Sequence, residues 1–372
     1  MTRSVQVSEV QGRSDLQAFV AFPYRLHRQD PQWVPILRHD VAVALSRQKN
    51  PFFEHAEAAY FLARRERRVV GRIAAIHNRL HNEFHADRVG FFGWFETVDD
   101  SEVASALFAA AAAWLRPRGL TVMRGPASFS TNDACGLLVE GFSSPPVLMM
   151  PHNPDYYPKL LEAWGFAKAK DLLAYQTTDD QLPPRLLEGT EVLKKRYRIS
   201  TRQLDLGRFQ AEVETVKELY NASWEKNWGF IPMTEAEIDH LAKQFKPVVV
   251  PEMVLFAEKD GVPVGFAIAL PDLNVALKKN PSGRFFPGIL KILRAARKID
   301  RVRVILLGTL PEWRGKGVDA LLYRGIWENG YAKGFRWAEA GWILEDNFPM
   351  RNGLLRMGFE VYKTYRLYDK AL

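Results

Sequence analysis

The chain has 372 residues, 47% hydrophobic and 25% charged, with one cysteine and a formal net charge of +8; this length suits two globular domains with sizeable cores. A single Cys excludes an internal disulfide framework, no apolar run reaches transmembrane length, and Met1-Thr2-Arg3-Ser4 opens no signal-peptide core, so a cytoplasmic protein is expected. The positive balance favours an anionic partner: a phosphate-bearing cofactor, nucleic acid or an acidic membrane surface.

Val5 to Val10 reads as a strand, and Ser14-Asp15-Leu16-Gln17 as a capping box opening a helix with Leu16, Phe19, Val20 and Tyr24 on one side. A Pro-punctuated segment with Trp33 leads to strands at Tyr60–Ala63 and Val69–Ile76, joined by the charged turn Arg64 to Arg68. Gly90 to Phe95 predicts another strand, Val103 to Leu115 a helix, Leu120 to Met123 a strand, and residues 124–150 irregular chain. A short helix is expected from Tyr156 to Trp164, then a strand from Leu172 to Gln176. In the second half a helix begins at Asp205-Leu206-Gly207 and continues through Val213, Val216 and Tyr220. Val254–Lys259 and Pro263–Ile268 form a hairpin around Asp260-Gly261; Val302 to Leu307 reads as a buried strand, and an amphipathic helix starts near Val318 with Leu321, Leu322 and Ile326 on one face.

The second half repeats the plan of the first. Trp33 to Trp228 is an offset of 195, Gly71 to Gly265 of 194, and Phe166 to Phe359 of 193. A shared period argues for two copies of one mixed α/β unit, with the boundary near Pro183-Pro184. Gly71 to Gly93 spans 22 positions and Gly265 to Gly308 spans 43, so the second copy gained about 21 residues within Leu277 to Asp300. The first copy has its own extra stretch around Gly125 to Pro146, containing Ser128, Ser130, Asn132, Asp133 and Cys135.

The chemistry concentrates at Leu306-Leu307-Gly308-Thr309-Leu310-Pro311-Glu312-Trp313-Arg314-Gly315-Lys316-Gly317-Val318-Asp319. A helix start leaves backbone N–H groups without partners and carries partial positive charge, so it attracts phosphate oxygens. Gly315 and Gly317 let the backbone approach such a ligand, and Arg314 and Lys316 add formal charge. The spacing is neither a Walker P-loop nor the dinucleotide fingerprint. In the first copy this place is Phe95-Glu96-Thr97-Val98-Asp99-Asp100-Ser101-Glu102, whose four carboxylates would repel a polyphosphate.

The loop resembles the Arg/Gln-x-x-Gly-x-Gly/Ala signature of the GNAT acyltransferase superfamily, with Asp319 where that family has a small residue; Asn347-Phe348-Pro349-Met350 and Leu354-Leu355-Arg356-Met357-Gly358-Phe359 resemble its final helix. The resemblance covers nearly the whole chain as a tandem and implies a mixed α/β (α+β) fold: two duplicated domains, 1–182 without a pyrophosphate loop and 183–372 with an acyl-coenzyme A site, each a twisted, mostly antiparallel sheet flanked by helices. It implies that Leu307, Gly308, Thr309 and Leu310 face the pantetheine arm of the donor. Arg314, Gly315, Lys316, Gly317, Val318 and Asp319 would then hold its diphosphate, and Asn347 would join the donor site. The reaction implied is attack of an acceptor amine on the donor thioester. The family's helix Tyr, its acid, is replaced by Leu354.

Such a transfer needs a base and an oxyanion donor. Glu339 and Glu345, six apart on an extended strand and therefore on one face, are the candidate bases, Glu339 lying nearer the expected thioester; the competing reading is a pair of solvent-facing strand carboxylates. Trp224, Glu225 and Trp228 lie where GNAT folds cover the acceptor and are candidate acceptor contacts, weighed against aromatic plugs under a long loop. His77, His81 and Cys135 read as structural residues, and no metal site is expected.

Within the insertion 277–300, Ile289, Ile292, Leu293, Ala296 and Ile299 project to one side of a helix and Lys291, Arg294, Arg297 and Lys298 to the other, with Phe285 and Phe286 at the entry. This suits either an anionic membrane surface contacted through 285–299 at the inner face of the membrane, or a helix packed on its own domain. Nucleic-acid binding is disfavoured by the lack of an accompanying motif. The expected activity is N-acylation of a small-molecule or lipid amine, as in the tandem proteins of bacterial ceramide synthesis. The alternatives are an aminoacyl-tRNA-dependent transferase and a non-catalytic acyl-CoA-binding module.

Overall fold

The computed structural model describes residues 4–224 and 227–372. In chain order the first half runs β1 (Gln6–Glu9), α1 (Gly12–Leu26), α2 (Arg38–Ala44), β2 (Ala56–Arg65), β3 (Arg68–Asn78), α3 (Arg79–His85), β4 (Val89–Thr97), α4 (Ser101–Leu115), β5 (Val122–Gly125), β6 (Leu137–Glu140), α5 (Tyr157–Ala163) and β7 (Ala167–Thr177). The second runs α6 (Pro184–Tyr197), β8 (Ile199–Gln203), α7 (Phe209–Trp224), α8 (Glu235–Phe245), β9 (Val254–Lys259), β10 (Val262–Pro271), α9 (Asn274–Leu277), α10 (Gly288–Ala296), β11 (Arg301–Thr309), α11 (Val318–Ala332), β12 (Trp337–Leu344), α12 (Phe348–Arg356) and β13 (Glu360–Ala371).

The chain folds into two units that are not two consecutive stretches. One holds residues up to Leu172 with Asn274–Arg297 and Lys363–Leu372; the other holds Leu173–Leu273 and Lys298–Tyr362. The division expected at Pro183 separates the helices of the two copies, but each sheet is completed from elsewhere in the chain. The last segment of β13 finds its partners in the first unit, antiparallel to β5 from Tyr368↔Gly125 to Ala371↔Val122 and to β6 at Tyr365↔Leu138. The end of β7, from Leu173, belongs to the second unit, where β7 neighbours β12. The insertion assigned by sequence to the second domain lies, over Asn274–Arg297, with the first unit.

In the first unit the sheet order is β1-β2-β3-β4-β5-β13, antiparallel except for β4 beside β5. Helix α4 covers it because Val103, Leu107, Ala111 and Leu115 recur at a spacing of four and are all completely buried. The helix comes so close that a Cβ on Gly71 would stand 2.7 Å from Leu107 and 3.1 Å from Val103. The second unit repeats this device. Its order is β7-β12-β11-β10-β9-β8, parallel at β11 beside β12 and antiparallel from β11 to β8, and Val318, Leu321, Leu322 and Ile326 of α11 pack into its core. Here a Cβ on Gly265 would stand 3.0 Å from the Gly308 carbonyl oxygen and 3.3 Å from Val318. Glycine recurs in the two copies because a helix lies hard against the strand in both.

Several expectations change: α1 opens at Gly12 after the N-cap Gln11, which makes no side-chain cap, so Ser14-Asp15-Leu16-Gln17 lies inside the helix and is not a capping box. Residues 124–150 contain the strand β6, and α6, β8 and α8 were not foreseen. The strand registers also revise the size of the insertion. Gly71 pairs with Thr97 and Gly265 with Thr309, separations of 26 and 44, a difference of 18 rather than 21. The counterpart of Gly308 is therefore Glu96, not Gly93.

Candidate active site

The site grows out of the parallel joint between β11 and β12. The β11–β12 ladder pairs Arg301↔Trp337 through Val304↔Ala340 and then stops, although β11 continues to Thr309 and β12 to Leu344. Beyond Val304 the strands diverge, while β11 keeps its bonds to β10, from Leu306↔Ile268 to Thr309↔Gly265. One edge of residues 305–309 is thereby left without a strand partner among the described residues, the place where an extended ligand can take main-chain hydrogen bonds. Leu307, Thr309 and Leu310 are half-buried there. Gly308 is buried against the end of α7: a Cβ on it would meet Trp224 at 2.6 Å and the Ser223 side chain at 2.9 Å.

After β11 the turn Pro311–Trp313 leads to Arg314, and Gly315 and Gly317 take left-handed conformations, φ 69° and 82°. Gly317 is the N-cap of α11 and brings no side-chain cap. The first helical bond runs from the Leu321 amide to the Gly317 carbonyl, so the amides of Val318, Asp319 and Ala320 have no partner within the helix. Arg314 is exposed and donates one hydrogen bond, 2.7 Å, to the Ser223 carbonyl. The exposed Lys316 holds its ammonium 4.5 Å from the Trp313 ring centre. Val318 is completely buried and anchors the helix start. Asp319 is exposed in the first turn, where it meets no packing demand for a small residue.

The first unit closes the same place with its own groups. The Asp100 side chain caps α4, accepting from the amides of Glu102 at 3.0 Å and Val103 at 3.3 Å, and pairs with Arg65 at 2.6 Å. Where β4 leaves β5, the Ala127 amide donates to the Phe92 carbonyl at 2.8 Å, and a Cβ on Gly93 would collide with the Ala127 carbonyl. Glu96, the counterpart of Gly308, accepts from His27 and from the Tyr157 hydroxyl, both at 2.8 Å, with Arg72 at 3.7 Å. Burial alone would raise its carboxyl pKa; the charges and hydrogen bonds of His27, Arg72 and Tyr157 outweigh it and hold the pKa below the usual range. Carboxylates thus occupy the helix start that the second unit leaves open.

No family model matches the chain. It is 36% identical over 369 residues to protein YghO of Escherichia coli (strain K12), covering 97% of this chain and 94% of that one. It is likewise 36% identical over 376 residues to the bacterial ceramide synthase of Caulobacter vibrioides (strain NA1000 / CB15N), covering 99% and 98%. This chain belongs to the bacterial ceramide synthase family. Among solved structures, a tandem GNAT protein from the clavulanic acid biosynthesis pathway superposes with a TM-score of 0.58 at 15% identity, covering 99% of this chain and 98% of that one. A GCN5-related N-acetyltransferase from Sphaerobacter thermophilus gives 0.53 at 15%, covering 99% and 95%. The fold is the tandem GNAT fold, and the protein is an acyltransferase.

Within this GNAT fold the candidate residues fall in different places. Glu339 is completely buried on β12, directly opposite Arg303 of β11, with the Arg303 Nε 3.0 Å from a carboxylate oxygen. Arg303 also donates to the Gly341 carbonyl at 2.7 Å. Glu345 lies half-buried just beyond β12, its backbone carbonyl accepting from Arg351. The Asn347 side chain caps α12 by accepting from the Met350 amide at 3.3 Å. Trp224 is brought against Gly308; Trp228 is half-buried in the turn after α7; Glu225 lies outside the described residues. Leu354, in place of the family's Tyr, is completely buried beside Tyr323 and Tyr175. Tyr323, which the sequence analysis does not single out, is buried with its hydroxyl lacking a hydrogen-bond partner among the described residues, and burial, then the Glu339 charge, raises its pKa well above 10.0. His81 is an enclosed core residue against Phe91; burial, then the charges of His85 and Arg124, lowers its pKa to about 3.

Proposed function

We propose that this protein transfers the acyl group of a long-chain acyl-coenzyme A, held by the second unit, to the amine of a long-chain base at the inner face of the membrane. The observation that carries the donor assignment is the pairing of a split strand edge at 305–309 with an uncapped helix start at Gly317–Ala320. The relative named bacterial ceramide synthase, alike over nearly the full length of both chains, supports a lipid amine as acceptor.

On this reading the amides after Gly315 and the Arg314 guanidinium hold the diphosphate, and the main chain of Leu307 to Leu310 holds the pantetheine arm. Nitrogen of the acceptor bonds to the thioester carbon, the carbon–sulfur bond breaks, and coenzyme A leaves as a thiol. One amine proton must pass to a base. Glu345, half-buried at the open end of β12, is placed for that exchange better than Glu339, which is enclosed and paired with Arg303. Asn347 fixes the start of α12 beside it, and Trp224 with Trp228 lines the acceptor side.

Thiol release from acetyl- and long-chain acyl-coenzyme A, with amino acids, polyamines and long-chain bases as acceptors, tests the proposal. Turnover is expected only for the pairing of a long-chain donor with a long-chain base. Tight donor binding without turnover on any amine would instead make the protein a binding module.

A further inference from the structure

The segment Asn274–Arg297 carries six cationic side chains, Lys278, Lys279, Arg284, Lys291, Arg294 and Arg297, and no carboxylate. It is fastened to the first unit by polar bonds. The Asn274 amide nitrogen donates to the Pro146 carbonyl at 2.8 Å, the Arg38 backbone amide to the Gly283 carbonyl at 2.8 Å, and Arg38 Nε to the Ser282 carbonyl at 2.9 Å. Gly288 is buried, and Ile289, Ile292, Ala295 and Ala296 of α10 are half-buried, so one apolar face of the helix is used up in packing.

A second apolar stripe remains outside. Phe285, Phe286, Leu290 and Leu293 are 56%, 73%, 62% and 58% exposed. Leu293, grouped by sequence on one side with Ile289, Ile292, Ala296 and Ile299, belongs to this outer stripe instead. Leu290 and Leu293 stand three apart on one side of α10, and Phe285 and Phe286 lie in the turn that enters it. The exposed Lys291, Arg294 and Arg297 border them. The exposed half of α10 is therefore itself amphipathic, apolar along one flank and cationic along the other.

We propose that Phe285, Phe286, Leu290 and Leu293, with Lys291, Arg294 and Arg297, form a docking surface for an anionic lipid bilayer. Large apolar side chains held out in water beside Lys291, Arg294 and Arg297 match the acyl boundary and the phosphates of such a surface. A folded protein partner would need a larger complementary face than one nine-residue helix and its entry turn provide. No described helix is long and apolar enough to cross a membrane, so the contact is made at the interface. The surface would bring the protein to a lipid acceptor, but its existence does not rest on the reaction proposed above.

Co-sedimentation of the full chain with phosphatidylcholine vesicles, with and without phosphatidylglycerol, tests it. Binding is expected to the anionic vesicles, weakened by salt, and scarcely to phosphatidylcholine alone. Lys291→Glu with Arg294→Glu, and separately Leu290→Ser with Leu293→Ser, should each lower vesicle affinity about tenfold or more while far-UV circular dichroism and acyl-coenzyme A binding stay unchanged. Equal binding to both vesicle types, or affinity unmoved by either pair of substitutions, would overturn the proposal. So would absent vesicle binding alongside binding to nucleic acid or an acidic protein that these substitutions abolish.

Discussion

Arg303 and Glu339 face each other at the last full turn of the ladder before β11 and β12 part, both almost wholly enclosed. Two charges so enclosed form a buried ion pair, and removing one takes away the ionic partner of the other. Glu339→Gln is therefore expected to destabilise the protein by about 3–5 kcal/mol, whereas the joint change Arg303→Met with Glu339→Leu should cost much less, because both buried charges go together. Urea denaturation of the three proteins checks this. Glu345→Gln should leave stability within about 0.5 kcal/mol of the parent yet lower turnover by about a hundredfold or more if Glu345 takes the amine proton. If Glu345→Gln is fully active and Glu339→Gln, still folded, is inactive, the base is the buried carboxylate instead. The sequence places both carboxylates on one extended strand; Glu339 lies on β12 and Glu345 just past its end, and the sequence carries no mark for Arg303, whose charge reads as surface until the ladder register sets it opposite Glu339.

The decisive element is the loop that joins β11 to α11, where the two copies make opposite choices. Asp100 gives α4 a carboxylate cap; Gly317 gives α11 none. Gly317→Asp puts a carboxylate at this helix start, though from a left-handed backbone (φ 82°) unlike the extended one of Asp100 (φ −158°), and the Leu193 side-chain tip, 2.8 Å from the new Cβ, must shift. Folding stability should fall by about 1–2 kcal/mol, while affinity for acyl-coenzyme A falls tenfold or more as the carboxylate repels the diphosphate. Arg314→Ala should weaken the same binding by about 1.5–3 kcal/mol. Calorimetric titration with a long-chain donor reads both, and unchanged affinity in both variants would remove the donor from this loop. The loop was legible because glycine, arginine and the flanking apolar periodicity each leave a local mark in sequence. Helix α6 and strand β8 left none: Glu188, Glu191, Lys194, Lys195 and Arg196 hide the few buried contacts, Thr190 and Leu193, that fix α6. The two apolar faces of α10 were merged into one for a related reason, since periodicity tells which residues share a side and not which side is covered.

At the scale of the molecule, the repeat was visible in sequence while the exchange of strands was not. Offsets near 194 identify two copies, but hydrogen bonding across a sheet is not periodic and leaves no trace in spacing. The consequence is that the first copy cannot be completed by its own residues. The last segment of β13 stands in its sheet between β5 and β7, where Arg124 of β5 holds Asp369 through two bonds of 2.8 and 2.7 Å, Arg366 holds Asp171 of β7 at 2.7 Å, and the buried Lys363 donates to the Gly141 and Ser144 carbonyls. Tyr365, Leu367 and Tyr368 are each no more than 1% exposed. Losing this segment would take three large buried side chains out of the core, at about 1.5–3 kcal/mol apiece, and leave the edges of β5 and β6 bare, a loss that, with the missing bonds, is comparable to the roughly 5–15 kcal/mol stability of a typical domain. A chain ending at residue 182 is therefore expected to lack the cooperative near-ultraviolet circular dichroism of a folded unit, although it contains every helix of the first copy. The same chain followed by a flexible linker and residues 363–372 should regain it. A folded, protease-resistant 1–182 fragment would show that the first copy holds together without β13 and that the strand exchange is incidental to its stability.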